Sequence, residues 1–315
     1  MRKELVAYRD PKSPVSEVFR TLRTNIQFMN TNKKMQTLLV TSTFPGEGKS
    51  WVVSNLAITF AQAGNKVILI DADMRKGRQY SIFGVSPRPG LSNYLSDSCR
   101  ADEEEEIEIA NYLQKTEVEN LLVMPAGNIP PNPSELLISD HMTNLLEELK
   151  EVCDIIIVDG TPCELVTDSV ALSRVVDSTV IVSACGETKK DNLDRVIKSI
   201  QNVGGKLIGV IVNKVPVSVK KYSDTYYYGS TRTSGETVVR KNKVNPNELR
   251  SRNSNITNNN NTRPVSRTQN IEKKETMEIP KALQNNSKET ISQDRMNDIL
   301  GQINSYLDEE KKDLN

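Results

Sequence analysis

The stretch TSTFPGEGKSWVVSNLA, Thr41 to Ala57, sets two glycines, a lysine and a serine between an apolar run and a helical pattern. Gly46 and Gly48 let backbone amides come close to phosphate oxygens, and the N-terminus of a following helix favours negative charge. In such a loop Lys49 reaches the β- and γ-phosphates of a nucleotide and Ser50 ligates Mg²⁺. The pattern GxxxxGK[ST] expects a glycine where Thr43 stands, so the loop alone is an incomplete match. Two apolar runs end in acids: VILIDADMR carries Asp71 and Asp73, and DIIIVDGTP carries Asp159. In an open parallel sheet, ligands sit beyond the carboxyl ends of the strands, so these acids are expected on the same rim as the glycine loop. Asp73 and Asp159, with Ser50, suit a Mg²⁺ shell, whereas Asp71 could instead take a proton from an attacking hydroxyl. The sequence leaves those two jobs undivided. Arg75 is placed either to offset transferring phosphoryl charge or simply to start a helix at the surface.

A second concentration of chemistry lies in KKYSDTYYYGS, Lys220 to Ser230. Tyr222, Tyr226, Tyr227 and Tyr228 are four of nine tyrosines in a chain that is only 5% aromatic. From composition alone the plain reading of such a cluster is a strand edge or a packing anchor for a terminus.

The elements that must position these residues are read from periodicity. TLLVTS, KVILID, NLLVM, DIIIVD, STVIVS and KLIGVIVN are short β-branched runs, apolar on both faces, as suits strands buried between helices in a parallel sheet. The segments between them, for instance Lys49 to Ala63 and Pro133 to Lys150, carry apolar residues at helical spacing. The fold class is α/β, with a doubly wound, mostly parallel sheet. Ahead of it, KSPVSEVFRTLRTNIQF predicts a helix with Ser13 as N-cap and Pro14 in its first turn. Beyond the tyrosines the chain turns rich in Asn, Ser, Thr and Arg, which predicts a disordered C-terminal tail. Ile291, Met296, Ile299, Leu300, Ile303 and Leu307 then mark one face of a final amphipathic helix. The expected organisation is an N-terminal helix over 1-35, the α/β domain over 36-219, the tyrosine cluster over 220-230, a polar tail over 231-290 and a helix over 291-310.

Composition narrows the classes. The 315 residues carry 41 basic and 41 acidic side chains, so no overall field argues for nucleic acid as a partner. Cys99, Cys153, Cys163 and Cys185 have no metal-binding spacing, and His141 is the sole histidine. Apolar runs such as VILI and IIIV are of strand length, so no transmembrane helix and no export signal is expected.

Together TFPGEGKS, ILIDADMR, IIVDGTP and PAGNIPPNPSELLIS resemble the bacterial tyrosine kinases that accompany capsular and exopolysaccharide synthesis. The similarity continues through TDSVALSRVVDSTVIVS and GVIVNKV, from about Glu4 to Gly229. The resemblance implies a P-loop NTPase of the MinD/ParA-like branch, acting with ATP and Mg²⁺. It implies that Gly46, Glu47, Gly48, Lys49, Ser50, Trp51 and Asn213 bind the nucleotide, and that Ser50, Asp73 and Asp159 bind the metal. Lys49, Asp71, Asp73, Asp159 and Arg75 would be catalytic. EVFRTLR resembles the family's self-association motif, at Glu17, Arg20 and Arg23, which implies a ring of subunits. Residues three apart face one way on a helix, so a local Glu17 to Arg20 pair is the simpler alternative. The tyrosines fall where the family carries its phosphate acceptors, which implies autophosphorylation of Tyr222, Tyr226, Tyr227 and Tyr228 in trans. Further implied partners are a membrane-embedded, polysaccharide co-polymerase-like activator of the Wzz/CapA type and a cognate protein-tyrosine phosphatase. The implied location is cytoplasmic, at the inner face of the membrane through that activator.

Two other readings compete. Partition and positioning ATPases of the same branch carry a signature lysine at the position of Phe44 and lack a tyrosine-rich tail. A silent scaffold for polysaccharide assembly would not need Lys49, Ser50, Asp71, Asp73 and Asp159 together. Eukaryotic-type kinases are excluded, since the chain has neither an HRD loop nor a DFG segment. Cys163 has no neighbouring histidine to activate it and reads as a small packing residue. DEEEE, Asp102 to Glu106, reads as a solvated connection.

Overall fold

A computed structural model describes residues 4–29, 35–100 and 107–216. The tyrosine cluster, the polar tail, the C-terminal amphipathic helix and the acidic run Asp102 to Glu106 lie outside the described residues. Seven strands form one sheet: β1 (Thr37–Ser42), β2 (Val67–Asp71), β3 (Gln114–Lys115), β4 (Leu121–Met124), β5 (Ile155–Pro162), β6 (Ser178–Ala184) and β7 (Leu207–Asn213). Their spatial order is β3-β4-β2-β5-β1-β6-β7, parallel throughout except for the short β3 at one edge. Nine α-helices and one 3-10 turn (Ile109–Tyr112) connect or flank them among the described residues. The α-helices are α1 (Val6–Arg9), α2 (Pro14–Phe28), α3 (Lys49–Ala61), α4 (Gln79–Phe83), α5 (Leu91–Ser98), α6 (Pro133–Leu137), α7 (Asp140–Val152), α8 (Asp168–Leu172) and α9 (Lys190–Asn202).

The period of two along each strand explains why both faces are covered. Leu38, Val40, Leu69 and Ile157 point to one face, where they pack with α1, α2 and α3. Their neighbours Leu39, Ile68, Ile70, Ile156 and Val158 point to the other, against α5, α7 and α8. On that second side Ile181 meets Val196 and Ile200 of α9.

The helix α3 is apolar almost all round, and it is buried almost all round, as such a helix must be. It is closed off from solvent by α2, which contributes Phe19 and Ile26, and by α1. Asn55 of α3 ties the start of the chain down: its Oδ1 accepts the Ala7 N–H and its Nδ2 donates to the Glu4 carbonyl, both at 2.9 Å. The start of α2 is as its sequence predicts, with the Ser13 side chain accepting the Ser16 N–H at 3.2 Å and Pro14 at the first position.

One expectation is refined and one is corrected. The pattern from Pro133 to Lys150 is two helices, broken at Ile138 and at Ser139, whose backbone is extended and which caps α7. Apolar spacing survives such a break because both pieces bury the same side. The run KLIGVIVN is not covered on both faces: β7 is an edge strand whose Val210 and Val212 are exposed while Ile208 and Ile211 pack inward. A continuous apolar run resembles an interior strand in sequence, and position in the sheet decides which it is.

Candidate nucleotide and phosphoryl-transfer site

β5 lies between β1 and β2, so the glycine loop after β1 and the acids ending β2 and β5 are neighbours. Asp71 and Asp159 are directly paired across β2 and β5, and Val40 pairs with Asp159 across β1 and β5. In the loop, Gly46 and Gly48 have φ of 83° and 90°, a left-handed conformation that side-chain-bearing residues rarely adopt. A Cβ on Gly48 would also collide with the Asn213 amide, 2.1 Å away. Asn213, at the end of β7, donates from Nδ2 to the Glu47 carbonyl at 2.8 Å.

Glu47 is buried and braces the loop from within. Its Oε2 accepts the Phe44 N–H at 2.8 Å, and its Oε1 accepts a hydrogen bond from the Thr188 hydroxyl. Lys49 is 7% exposed; its Nζ donates to Asp159 Oδ1 and lies 3.3 Å from Ser50 Oγ. Burial alone would lower the Lys49 pKa, but the charge and hydrogen bond of Asp159, with Asp73 and Asp71 nearby, hold it above the ordinary range.

Asp71 is fully buried. Burial and the neighbouring Asp159 charge push its carboxyl up to about 7, against the opposing pull of the Gln79 N–H and Lys49. Its oxygens accept three backbone N–H groups: Asp73 at 3.2 Å, Arg78 at 2.8 Å and Gln79 at 2.9 Å. Asp71 therefore shapes the loop that follows β2. Asp73 is half-buried and lines the cavity beside Lys49 and Ser50; burial raises its pKa also.

That cavity, of ≈ 390 Å³, is of the size that holds a small ligand. Its walls include Gly46, Gly48, Lys49, Ser50, Trp51, Asp73 and Arg75. Arg75 is drawn to one side, where its Nε donates to Asp168 at 3.0 Å and its Nη2 reaches Asp168 and Ser134 at 3.3 Å each. Among the described residues no three acid, cysteine or histidine side chains gather to hold a metal by themselves. Mg²⁺ commonly takes one or two carboxylates and completes its shell with phosphate oxygens and water, which is the donor set Ser50, Asp73 and Asp159 offer. The left-handed glycines, the N-terminus of α3 and the Lys49 ammonium fit a phosphate chain.

The remaining sequence candidates fall elsewhere. On α2, Arg20 pairs with Glu17 at 2.7 Å and also donates to the Pro11 carbonyl. Arg23 instead donates to the Thr59 carbonyl of α3 at 2.7 Å. Steps of three turn the helix by about 120° from residue 17 to residue 23, which carries Arg23 toward the face that buries Phe19 and Ile26. The three side chains thus do not share one face. Burial pushes the Cys163 thiol up to about 11 despite its contact with Thr41 Oγ1, so it is no nucleophile at neutral pH. His141 is half-exposed in the first turn of α7. Gln79, Ser54, Thr188 and Asp168 were missed in the sequence; Ser54 alone had a signal, a polar residue inside the apolar, buried run of α3, whereas Gln79, Thr188 and Asp168 sit in polar, partly exposed segments that mark nothing.

A glycine loop opening a buried helix, a buried lysine and acids at two adjacent strand ends define a P-loop nucleotide-binding domain, and residues 35–210 match the AAA domain family AAA_31. The chain is 37% identical over 230 residues to the tyrosine-protein kinase YwqD of Bacillus subtilis, covering 73% of this chain and 93% of that one. It is 36% identical over 214 residues to the tyrosine-protein kinase CpsD of Streptococcus agalactiae, covering 68% and 89%. Among solved structures, the chimerical protein CapA2B2 matches with a TM-score of 0.63 at 36% identity, over 69% of this chain and 92% of that one. The chain belongs to the bacterial tyrosine-protein kinase family.

Proposed function

We propose that this chain uses ATP and Mg²⁺ to phosphorylate tyrosine, first of all its own Tyr222, Tyr226, Tyr227 and Tyr228, and so regulates capsular or exopolysaccharide polymerisation and export. The observation that carries the reading is the buried ion pair of Lys49 and Asp159 beside the left-handed glycines. A lysine balanced by an acid at the mouth of a phosphate loop keeps its charge in the empty site, and it would exchange that acid for phosphate once a metal takes over the acid, which is otherwise costly to leave unpaired. Bound Mg·ATP supplies the phosphoryl group and a metal that neutralises charge as it transfers.

In this reading Lys49 turns from Asp159 to the phosphates. Ser50, Asp73 and Asp159 then hold the metal. Glu47 and Asn213 keep the loop in its bound shape, and Trp51 forms a wall of the cavity. Asp73 is the acid with access to the cavity, whereas the oxygens of Asp71 are taken up by backbone donors. This arrangement supports a reading in which Asp73 serves the metal from the cavity wall while Asp71 builds the loop after β2. Arg75 adds positive charge at the rim while anchored to Asp168.

Acceptors that lie outside residues 36-219 suit transfer between subunits. Support for self-association through α2 is the exposed position of Val15 and Val18 beside the Glu17 to Arg20 pair. The family resemblance supports a membrane-embedded co-polymerase-like activator, a cognate phosphatase and a place at the inner face of the membrane. No helix among the described residues is long and apolar enough to cross a membrane itself.

The test is incubation of the full chain with Mg·ATP and the activator's cytosolic segment, followed by mapping of modified tyrosines. Changing Tyr222, Tyr226, Tyr227 and Tyr228 together to Phe should remove most of the label and leave nucleotide binding intact. Label on Tyr8, Tyr80 or Tyr306 instead would sink the acceptor assignment. ATP hydrolysis with no phosphotyrosine at all would point to a partition-type ATPase.

A further inference from the structure

Gln79 opens α4 and is fully buried, an expensive place for an amide unless every polar atom is satisfied. Its backbone N–H donates to Asp71 Oδ2 at 2.9 Å. Its side-chain Nε2 donates to Asp159 Oδ2 at 2.6 Å and lies 3.3 Å from the Ser50 carbonyl. Its Oε1 lies 2.8 Å from the Ser54 hydroxyl, whose one proton it shares with the Ser50 carbonyl at 2.6 Å. One residue therefore joins the ends of β2 and β5 to the helix that carries Lys49. The sense of the amide follows from chemistry: reversed, its oxygen would face a carboxylate oxygen at 2.6 Å, acceptor against acceptor.

Asp159 thus has a different side-chain partner on each oxygen, Lys49 on Oδ1 and Gln79 on Oδ2. Lys49 is the partner that leaves when phosphate arrives, and a buried carboxylate stripped of its partner is both costly and free to turn. We infer that Gln79 is a positioning residue that holds Asp159 while Lys49 changes partner. Oδ2 stays bound to the Gln79 amide, and Oδ1 is released toward the rim in a fixed direction for the metal. The inference rests on the proposed roles of Lys49 and Asp159 and adds the group that keeps the acid aimed. Donors that fix a metal-binding side chain from behind matter because a small misorientation weakens the ligand without removing it.

The chain has a single tryptophan, and Trp51 stands next to Ser50 in the cavity wall, so its fluorescence reports on this site. Full-length wild type, Gln79→Met and Gln79→Glu are titrated with ADP without metal, then with Mg²⁺ at saturating ADP, and tyrosine labelling is followed with ATP. Gln79→Met keeps the chain length and loses the donor. It should bind metal-free ADP within about twofold of wild type, while half-saturating Mg²⁺ rises and kcat falls by about 10- to 100-fold, with KM for ATP moving less. Gln79→Glu, which brings a third acceptor to the acids, should be worse than Met; a mere space-filling role would favour neither. Mg²⁺ half-saturation and kcat within about twofold of wild type in Gln79→Met would overturn the inference. If Gln79→Met does not fold, Ser54→Ala, which frees the amide oxygen, should shift Mg²⁺ half-saturation the same way by about two- to tenfold, and no shift overturns it as well. A wild type that shows neither a Mg²⁺ response nor labelled tyrosine brings down the functional reading itself, whereas a normal wild type matched by Gln79→Met brings down only the role of Gln79.

Discussion

At the amino-terminal ends of the strands, Asp177 Oδ2 accepts the N–H groups of Gln36 and Thr37 at 2.9 Å each, and Asp154 accepts the Lys66 N–H at 2.9 Å. At the carboxyl ends, Asp71 and Asp159 stand side by side on adjacent strands, with Asp73 close by, around the Lys49 ammonium. Partial burial works against the Asp177 charge, yet its two backbone donors and Lys150 hold its carboxyl below the usual range. Asp71 is pushed the other way, to about 7, by burial and by the Asp159 charge. The same residue type stabilises one rim of the sheet and crowds the other. An acid with its own donors holds strand starts in place; acids that compete for one cation form a site that a ligand can relieve.

The largest expected effect tests the crowded rim. Lys49→Met should reduce tyrosine labelling by at least about 100-fold, since the phosphate-facing cation is gone. It should also lower stability by about 3 kcal/mol at pH 8, because buried carboxylates lose their counter-charge. Asp71 already has a folded pKa above its unfolded value, so the folded state binds the extra proton and stability falls as pH rises from about 4 toward 7. The deficit of Lys49→Met relative to wild type should therefore shrink at pH 5, as measured by denaturant unfolding at both pH values. An equal deficit at pH 5 and pH 8 would show that the acids are not crowded.

A middle-sized effect is expected at Thr188, which lies outside the acidic cluster but braces the loop through Glu47. Thr188→Val should raise KM for ATP by about two- to tenfold with kcat little changed, and Thr188→Ser should restore it. Steady-state labelling kinetics separate this from a general loss of fold.

The smallest effect belongs to the opposite rim. Asp177→Asn should cost about 1 kcal/mol at neutral pH, a figure held down because about a third of the Asp177 side chain meets solvent. Its folded pKa is depressed, so the stabilisation is present above the unfolded value and disappears as pH falls through the folded one. Wild type and variant should converge in acid, and labelling at neutral pH should be the same in both. Loss of labelling in Asp177→Asn would blur the division between the two ends.

Much of this arrangement was legible along the chain. The β-branched runs located the strands, Ser13 and Pro14 located the start of α2, and Gly46, Gly48 and the strand-end acids marked the site. These signals are local: each depends on residues a few positions apart, which periodicity and turn chemistry report directly. The break between α6 and α7 was invisible because both helices bury the same side, and the exposed face of β7 because an edge strand differs from an inner one only in its neighbours. Arg23 reads as one of three exposed motif residues until the rotation of α2 carries it onto α3.

The sequence by itself determined that a phosphate loop, a lysine and three acids exist at strand ends, since glycine, lysine and aspartate at those positions have few other uses. Only the tertiary structure decided how they pair. Lys49 and Asp159 are 110 residues apart, and Glu47 and Thr188 are 141 apart. They meet because burial of both sheet faces places β5 between β1 and β2, and β6 against β1. Strand order is settled by the covering of whole faces rather than by any short segment. That is why the glycine loop could be read from its own residues, while the Gln79 amide behind Asp159 could not.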